Sequence, residues 1–134
     1  MEVTGQPPGD YLFFVHLIDE TGMIVGQRDT HPGLGNFPSS QWQVGDRFVE
    51  HIRLYVPETA YTPATTQLSI GFYAPEGYRL GVTDEAGAFL GDALVLETVN
   101  LALRNADLPN ELNINFNNKM NLAGYTYNKR IFAG

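Results

Sequence analysis

Apolar residues occupy both parities of the run Tyr11-Leu12-Phe13-Phe14-Val15-His16-Leu17-Ile18-Asp19, the pattern of a central strand covered on both faces. Asp19-Glu20-Thr21-Gly22 reads as a turn and Met23 to Arg28 resumes an extended run, so residues 11–28 are predicted to form a hairpin. Further on, Phe48, Ile52, Leu54 and Val56 alternate with Val49, His51, Arg53 and Tyr55, predicting a strand that stops at Pro57. Leu68, Ile70 and Phe72 alternate with Ser69, Gly71 and Tyr73, and Pro75-Glu76-Gly77 turns that strand into Tyr78–Val82 as a second hairpin. Ala93 to Leu103 carries helix spacing at Leu94, Thr98 and Leu101, but its β-branched Val95, Thr98 and Val99 favour a strand. The cleanest alternation is Leu112, Ile114 and Phe116 against Asn113, Asn115 and Asn117, a strand with one wet face. After it Asn118-Lys119 turns the chain into Met120–Tyr127.

Loops separate these runs. Asp29 to Asp46 is broken by Pro32, Gly33, Gly35, Pro38 and Gly45, and Glu58–Thr66 and Thr83–Gly91 are turn-rich inserts. About eight strands without a convincing helix predict an all-β fold, an antiparallel β-sandwich of immunoglobulin-like or jelly-roll-like type. No repeat recurs at a fixed period. A length of 134 residues, 43% of them hydrophobic, fits a single β-sandwich domain spanning 1–134 with one core.

Charge narrows the partners. Eight Lys and Arg stand against 15 Asp and Glu, a net charge of −7, the wrong sign for neutralising phosphates, so no nucleic-acid partner is expected. The residues Met1 to Asp10 lack the basic and apolar regions of a signal peptide, and no apolar run reaches the roughly 20 residues of a membrane-spanning helix, so no direct membrane insertion is expected. Without cysteine, thiolate chemistry and disulfides are absent.

Chemistry-bearing residues are scattered. His16, mid-strand between Val15 and Leu17, reads as a sheet-face histidine with a satisfied ring nitrogen. A hydrolytic triad would need Ser39 or Ser40 beside His31 and Asp29, and no Gly-x-Ser-x-Gly turn presents either serine. His16, His31 and His51 lack zinc-ligand spacing, and Asp84, Glu85 and Asp92 lack a calcium-loop spacing, leaving a solvated acidic turn. Neither a metal nor a cofactor is expected. The aromatic set Trp42, Tyr55, Tyr61, Tyr73, Tyr78, Tyr125 and Tyr127 can stack on sugar rings and hydrogen-bond at the polar tips. Tyr55 and Tyr73 fall opposite the apolar parity of their strands.

Several of these segments together carry a resemblance. Tyr11 to Asp19 with Gly22, Val25 and Asp29, then Ser40-Gln41-Trp42-Gln43-Val44-Gly45-Asp46, Gly71-Phe72-Tyr73, Arg79-Leu80 and Gly91-Asp92 resemble a β-sandwich accessory domain appended to bacterial multi-pass membrane proteins of the glycosyltransferase type. The segment Asn113 to Gly124 also resembles that domain, but there it opens the domain, and the strand joining it to the Phe-Val-His-Leu strand is missing here. Either the chain is an excerpt across two tandem copies, or it is a permuted copy. A missing strand leaves a sheet edge for the parent membrane protein or another copy to cover. The resemblance implies an extracytoplasmic setting, at a bacterial cell surface or in a periplasm-like space, and supplies no mechanism.

The expectation is a non-enzymatic extracytoplasmic accessory or binding module that recognises carbohydrate, with Trp42, Tyr55, Tyr73, Arg79, Asp29 and His31 as candidate ligand-binding residues. The alternative is a structural or protein-interaction β-sandwich that assembles through sheet edges and takes no small-molecule ligand.

Overall fold

The computed structural model describes residues 1–102 and 108–127. Leu103, at the end of one expected strand, and Phe132 to Gly134, where the joining strand of the resemblance would begin, lie outside the described residues. The chain divides into two compact units, Met1–Ala102 and Leu103–Gly134.

The first unit is built on a four-stranded antiparallel sheet. Its strands are β1 (Leu12–Asp19), β2 (Ile24–Thr30), β3 (Ala64–Tyr73) and β6 (Leu94–Leu101), in the order β2-β1-β3-β6. Two very short strands, β4 (Val82–Thr83) and β5 (Phe89–Gly91), pair with each other. The second unit holds β7 (Asn110–Phe116) paired with β8 (Met120–Tyr125). The protein is therefore all-β, with eight strands and antiparallel ladders throughout the described residues.

The doubly apolar run becomes a central strand because both of its faces are covered. Phe13, Phe14, Val15, His16 and Leu17 are all buried. On one face Phe13, Val15 and Leu17 lie opposite Phe72, Ile70 and Leu68 of β3, with the Phe13 and Phe72 rings 5.0 Å apart. On the other, Phe14 lies opposite Gly71 and His16 opposite Ser69. The β1–β2 turn is fastened by Asp19, whose Oδ1 accepts from the amides of Thr21 and Met23 and from the Thr21 hydroxyl, at 2.7–2.9 Å.

Two expected strands are not paired as expected. Residues 48–56 join no ladder. Ile52 and Leu54 instead line a cleft with Phe13 and Val15 on the first sheet face, and the Tyr55 carbonyl comes close over Gly26 of β2. Alternation reports which side chains face the core, whereas pairing needs a free neighbouring edge, and this segment crosses a face. The return strand 78–82 makes a turn, with Ala74 N donating to Tyr78 O at 2.9 Å, and then a single bridge between Tyr73 and Arg79. It goes no further because β6 already occupies the edge of β3 from Ala64 to Ile70. The expected insert Thr83–Gly91 contains the β4–β5 ladder, its turn closed by Asp84 Oδ1 accepting from Ala86 and Ala88 amides.

In the second unit, Ile114 lies opposite Leu122 and Phe116 opposite Met120. Asn117 and Asn118 take φ of 51° and 55°, the left-handed values that suit a tight hairpin and that Asn tolerates.

Candidate functional site

Asp29, on edge strand β2, organises the second face of the sheet. Its Oδ1 lies 3.1 Å from His16 Nε2 on β1, and its Oδ2 accepts from the Tyr73 hydroxyl on β3 at 3.1 Å. An ionised carboxylate only accepts, so the first contact places a hydrogen on Nε2. One side chain thus ties three strands together. Burial pushes the Tyr73 phenol above its usual value, and the bond to Asp29 adds to the shift.

Phe14 is the floor of this cluster. Its ring stands 4.7 Å from the His16 ring and 6.2 Å from that of Tyr73, and the Arg79 guanidinium lies over it at 4.6 Å, a cation–π stack. Arg79 Nη1 is 3.6 Å from Asp92 Oδ1. The ring fits only because residue 71 has no side chain: a Cβ there would stand 2.5 Å from Phe14 Cζ. The polar groups of this cluster answer one another, so its chemistry is that of a clamp.

Of the candidate residues, Asp29, Tyr73 and Arg79 are brought together here, with His16 and Phe14 added. His31 is not, and makes no side-chain hydrogen bond to Asp29; its Nδ1 is buried without a partner. The nearby Ser39 is fully buried, accepting from Tyr11 N at 2.8 Å and donating to Gly9 O at 2.9 Å, so it is a loop fastener and not a nucleophile. Ser40 N donates to Asp10, and hydrogen bonds from Ser40 are the chief cause that lowers the Asp10 carboxyl below its usual value. Among the described residues no three of His, Asp and Glu converge as a metal site.

Trp42 sits in an aromatic cluster, 5.0 Å from Phe48 and 6.1 Å from both Phe37 and Phe72, and its indole N–H donates to Phe37 O at 3.2 Å. Tyr55 is different. It is 73% exposed and, with Pro57, walls an open groove of about 580 Å³ along β2 from Gly22 to Gln27.

The sequence led to the expectation of a sheet edge left for a partner but did not place one at β6. Among the described residues β6 pairs only with β3, and its Leu94, Val95 and Leu96 are 37%, 52% and 52% exposed. Beside Leu96 opens a cleft of about 440 Å³ floored by Phe13, Val15, Leu68 and Ile70. The triplet Leu94-Val95-Leu96 was the available signal: three apolar residues in a row on a strand with one neighbour have no interior to enter.

Comparison with known protein families, curated proteins and solved structures returns no match for this chain. No helix among the described residues is long and apolar enough to cross a membrane.

Proposed function

We propose that this chain is a non-catalytic interaction module that receives an extended segment of a partner along β6, continuing the antiparallel sheet by one strand. The observation that carries this reading is the open β6 edge, with apolar side chains exposed and an apolar cleft beside it. A strand laid there meets the edge of β6 that joins no ladder among the described residues and puts alternate side chains toward the cleft, the mode by which sheet edges bind peptides. The resemblance set out above supports an extracytoplasmic accessory setting. A displayed library of random extended peptides, selected on the full chain, tests the reading: enriched binders should lose binding on Val95→Lys. Selection that yields no β6-dependent binder refutes it.

The exposed Tyr55 ring beside its groove favours a second reading, carbohydrate recognition. The ring supplies a stacking surface and Gln27 a hydrogen-bonding amide. Calorimetry with neutral oligosaccharides at millimolar concentration should show binding that Tyr55→Ala abolishes; heat unchanged by that substitution sinks it.

A further inference from the structure

A cleft of about 440 Å³ in the first unit belongs to neither reading above. Tyr11, Trp42, Phe72 and Leu80, all half-buried, form its apolar wall, and the Trp42 and Phe72 ring planes stand nearly perpendicular, at 88°. Residues 4–8 supply the rest of the wall as a strap tied at both ends. At one end Val3 N donates to Asp46 O at 2.9 Å and Val3 O accepts from Gly45 N at 2.8 Å. At the other, Ser39 Oγ donates to Gly9 O and accepts from Tyr11 N. Between these ties residues 4–8 make no hydrogen bond among the described residues, so the strap has freedom to adjust to a guest. A smaller cleft of about 240 Å³ shares Pro8 and Tyr11 with the first and adds Asp10, Glu76 and Tyr78. Tyr11 therefore stands between an aromatic chamber and an acidic one.

We propose that these adjoining clefts bind a small organic cation, an ammonium on a short aromatic body, with the body against Trp42 and Phe72 and the ammonium at Tyr11, toward Asp10 and Glu76. The larger cleft lies within the range of small-molecule sites, roughly 300–1,000 Å³, and aromatic walls attract a cation through the ring faces. Charge selects the sign of the guest. No Lys or Arg lines either cleft, and the charged side chains that do, Glu2, Asp10 and Glu76, are all acidic. Arg47 is taken up by Glu2 at 3.0 Å, and Arg79, next to Tyr78 in sequence, lies over Phe14 beside Asp92. Neither Asp10 nor Glu76 is ion-paired among the described residues. Hydrogen bonds from Ser40 keep Asp10 ionised, and His31 is the base whose charge is felt there. The charge of Glu76 reaches the Tyr11 phenol, which burial chiefly raises above its usual value, so that hydroxyl stays neutral at physiological pH. An anion would be repelled by Asp10 and Glu76, and a wholly apolar guest would leave them unused.

Trp42 is the chain's single tryptophan, so its emission reads the larger cleft directly. The full chain is titrated with phenethylamine, phenethyl alcohol and phenylacetate, which share a phenyl body and differ in charge, at a pH above the histidine range where the amine is still protonated. The amine should shift the Trp42 emission saturably at millimolar concentration and bind about tenfold more tightly than the alcohol, from the cation–π contact and the exposed carboxylates together. The acid should bind more weakly than either. Raising the salt should narrow the gap between amine and alcohol, and Glu76→Gln should narrow it while leaving the alcohol unaffected. Because the salt dependence is read on the unmodified chain, a poorly folded variant does not leave the question open. Amide shifts should move at Gly5 and Gln6 together with the Trp42 indole; shifts confined to β6 or to the groove beside Tyr55 place the amine elsewhere and overturn the site. Equal binding of amine and alcohol overturns the cation assignment, and the absence of saturable binding by all three overturns the cleft as a ligand site. Displacement of the amine by a neutral oligosaccharide assigns the cleft to sugar and likewise overturns the proposal.

Discussion

Gly71→Ala tests whether the second sheet face is packed as described. A Cβ at residue 71 would stand 2.5 Å and 2.6 Å from Phe14 Cζ and Cε1, and 3.3 Å from the Asp92 carbonyl oxygen. The ring has little room to retreat. Phe14 is 1% exposed, with the Arg79 guanidinium 4.6 Å above it and the His16 ring 4.7 Å to its side. Overpacking of a closed site costs about 1–3 kcal/mol, and losing a buried Phe ring outright costs about 3–5 kcal/mol, which bounds the effect from above. Ala recovers about 0.5–1 kcal/mol by restricting the unfolded chain, so a net loss of about 1 kcal/mol is expected. With a urea m-value of about 2 kcal/mol/M, the midpoint falls by about 0.5 M. Adding Phe14→Leu to Gly71→Ala should restore part of the loss, with a coupling of at least ~1 kcal/mol in the double-mutant cycle. An unchanged midpoint, or strict additivity of the two substitutions, would refute the packing described for Phe14 and Gly71.

Two further outcomes follow from the hydrogen bonds. Asp29→Ala releases both His16 and Tyr73 and should lower stability by about 1–2 kcal/mol in urea titrations, the lower range because the carboxylate is partly exposed. Tyr73→Phe should then cost markedly less in that background than alone, and equal costs would dissolve the clamp. The Thr21 hydroxyl, followed by the Met23 amide, holds the Asp19 carboxyl below its usual 3.8. Its contribution is therefore full above pH 3.8 and disappears as pH falls through the lower folded value. Asp19→Asn should flatten the acid limb of a stability profile measured from pH 5 to pH 2, and an identical slope would remove Asp19 as its source.

The strands with both neighbours present were the most legible. Tyr11–Asp19 read as doubly covered because its apolar residues ignore parity, and Phe13 to Leu17 of β1 are buried on both parities, in a strand that, like β3, is paired on both edges. The β-branched residues of 94–101 likewise outweighed their helix-like spacing, since the strand packs against β3 and owes nothing to helical propensity. Residues 48–56 were not legible in this way, because the same alternation serves a strand in a ladder and a segment lying over a sheet. For the candidate site, Asp29, Tyr73 and Arg79 were singled out as separate polar or aromatic residues, but their meeting depends on register. Phe14 pairs with both Asp29 and Gly71, and no local sequence signal sets residues 29 and 71 on either side of residue 14. Trp42 was legible as an aromatic of interest but not as a neighbour of Phe37, Phe48 and Phe72, because that cluster closes across a loop and two distant segments.

The place of β1 in the sheet also bears on how the protein is made. Its first neighbour, β2, follows after a four-residue turn, but its second, β3, ends at Tyr73. Roughly fifty residues must be synthesised after β1 before that pairing can begin, about 3–10 s at ordinary translation rates. For that interval Phe13, Phe14, Val15 and Leu17, the most deeply buried apolar side chains of the finished sheet, have one strand beside them and an open edge on the other side. The nascent chain is therefore expected to be a substrate for holding chaperones during synthesis, and a circular permutant that places 64–73 ahead of 12–19 would shorten that exposure.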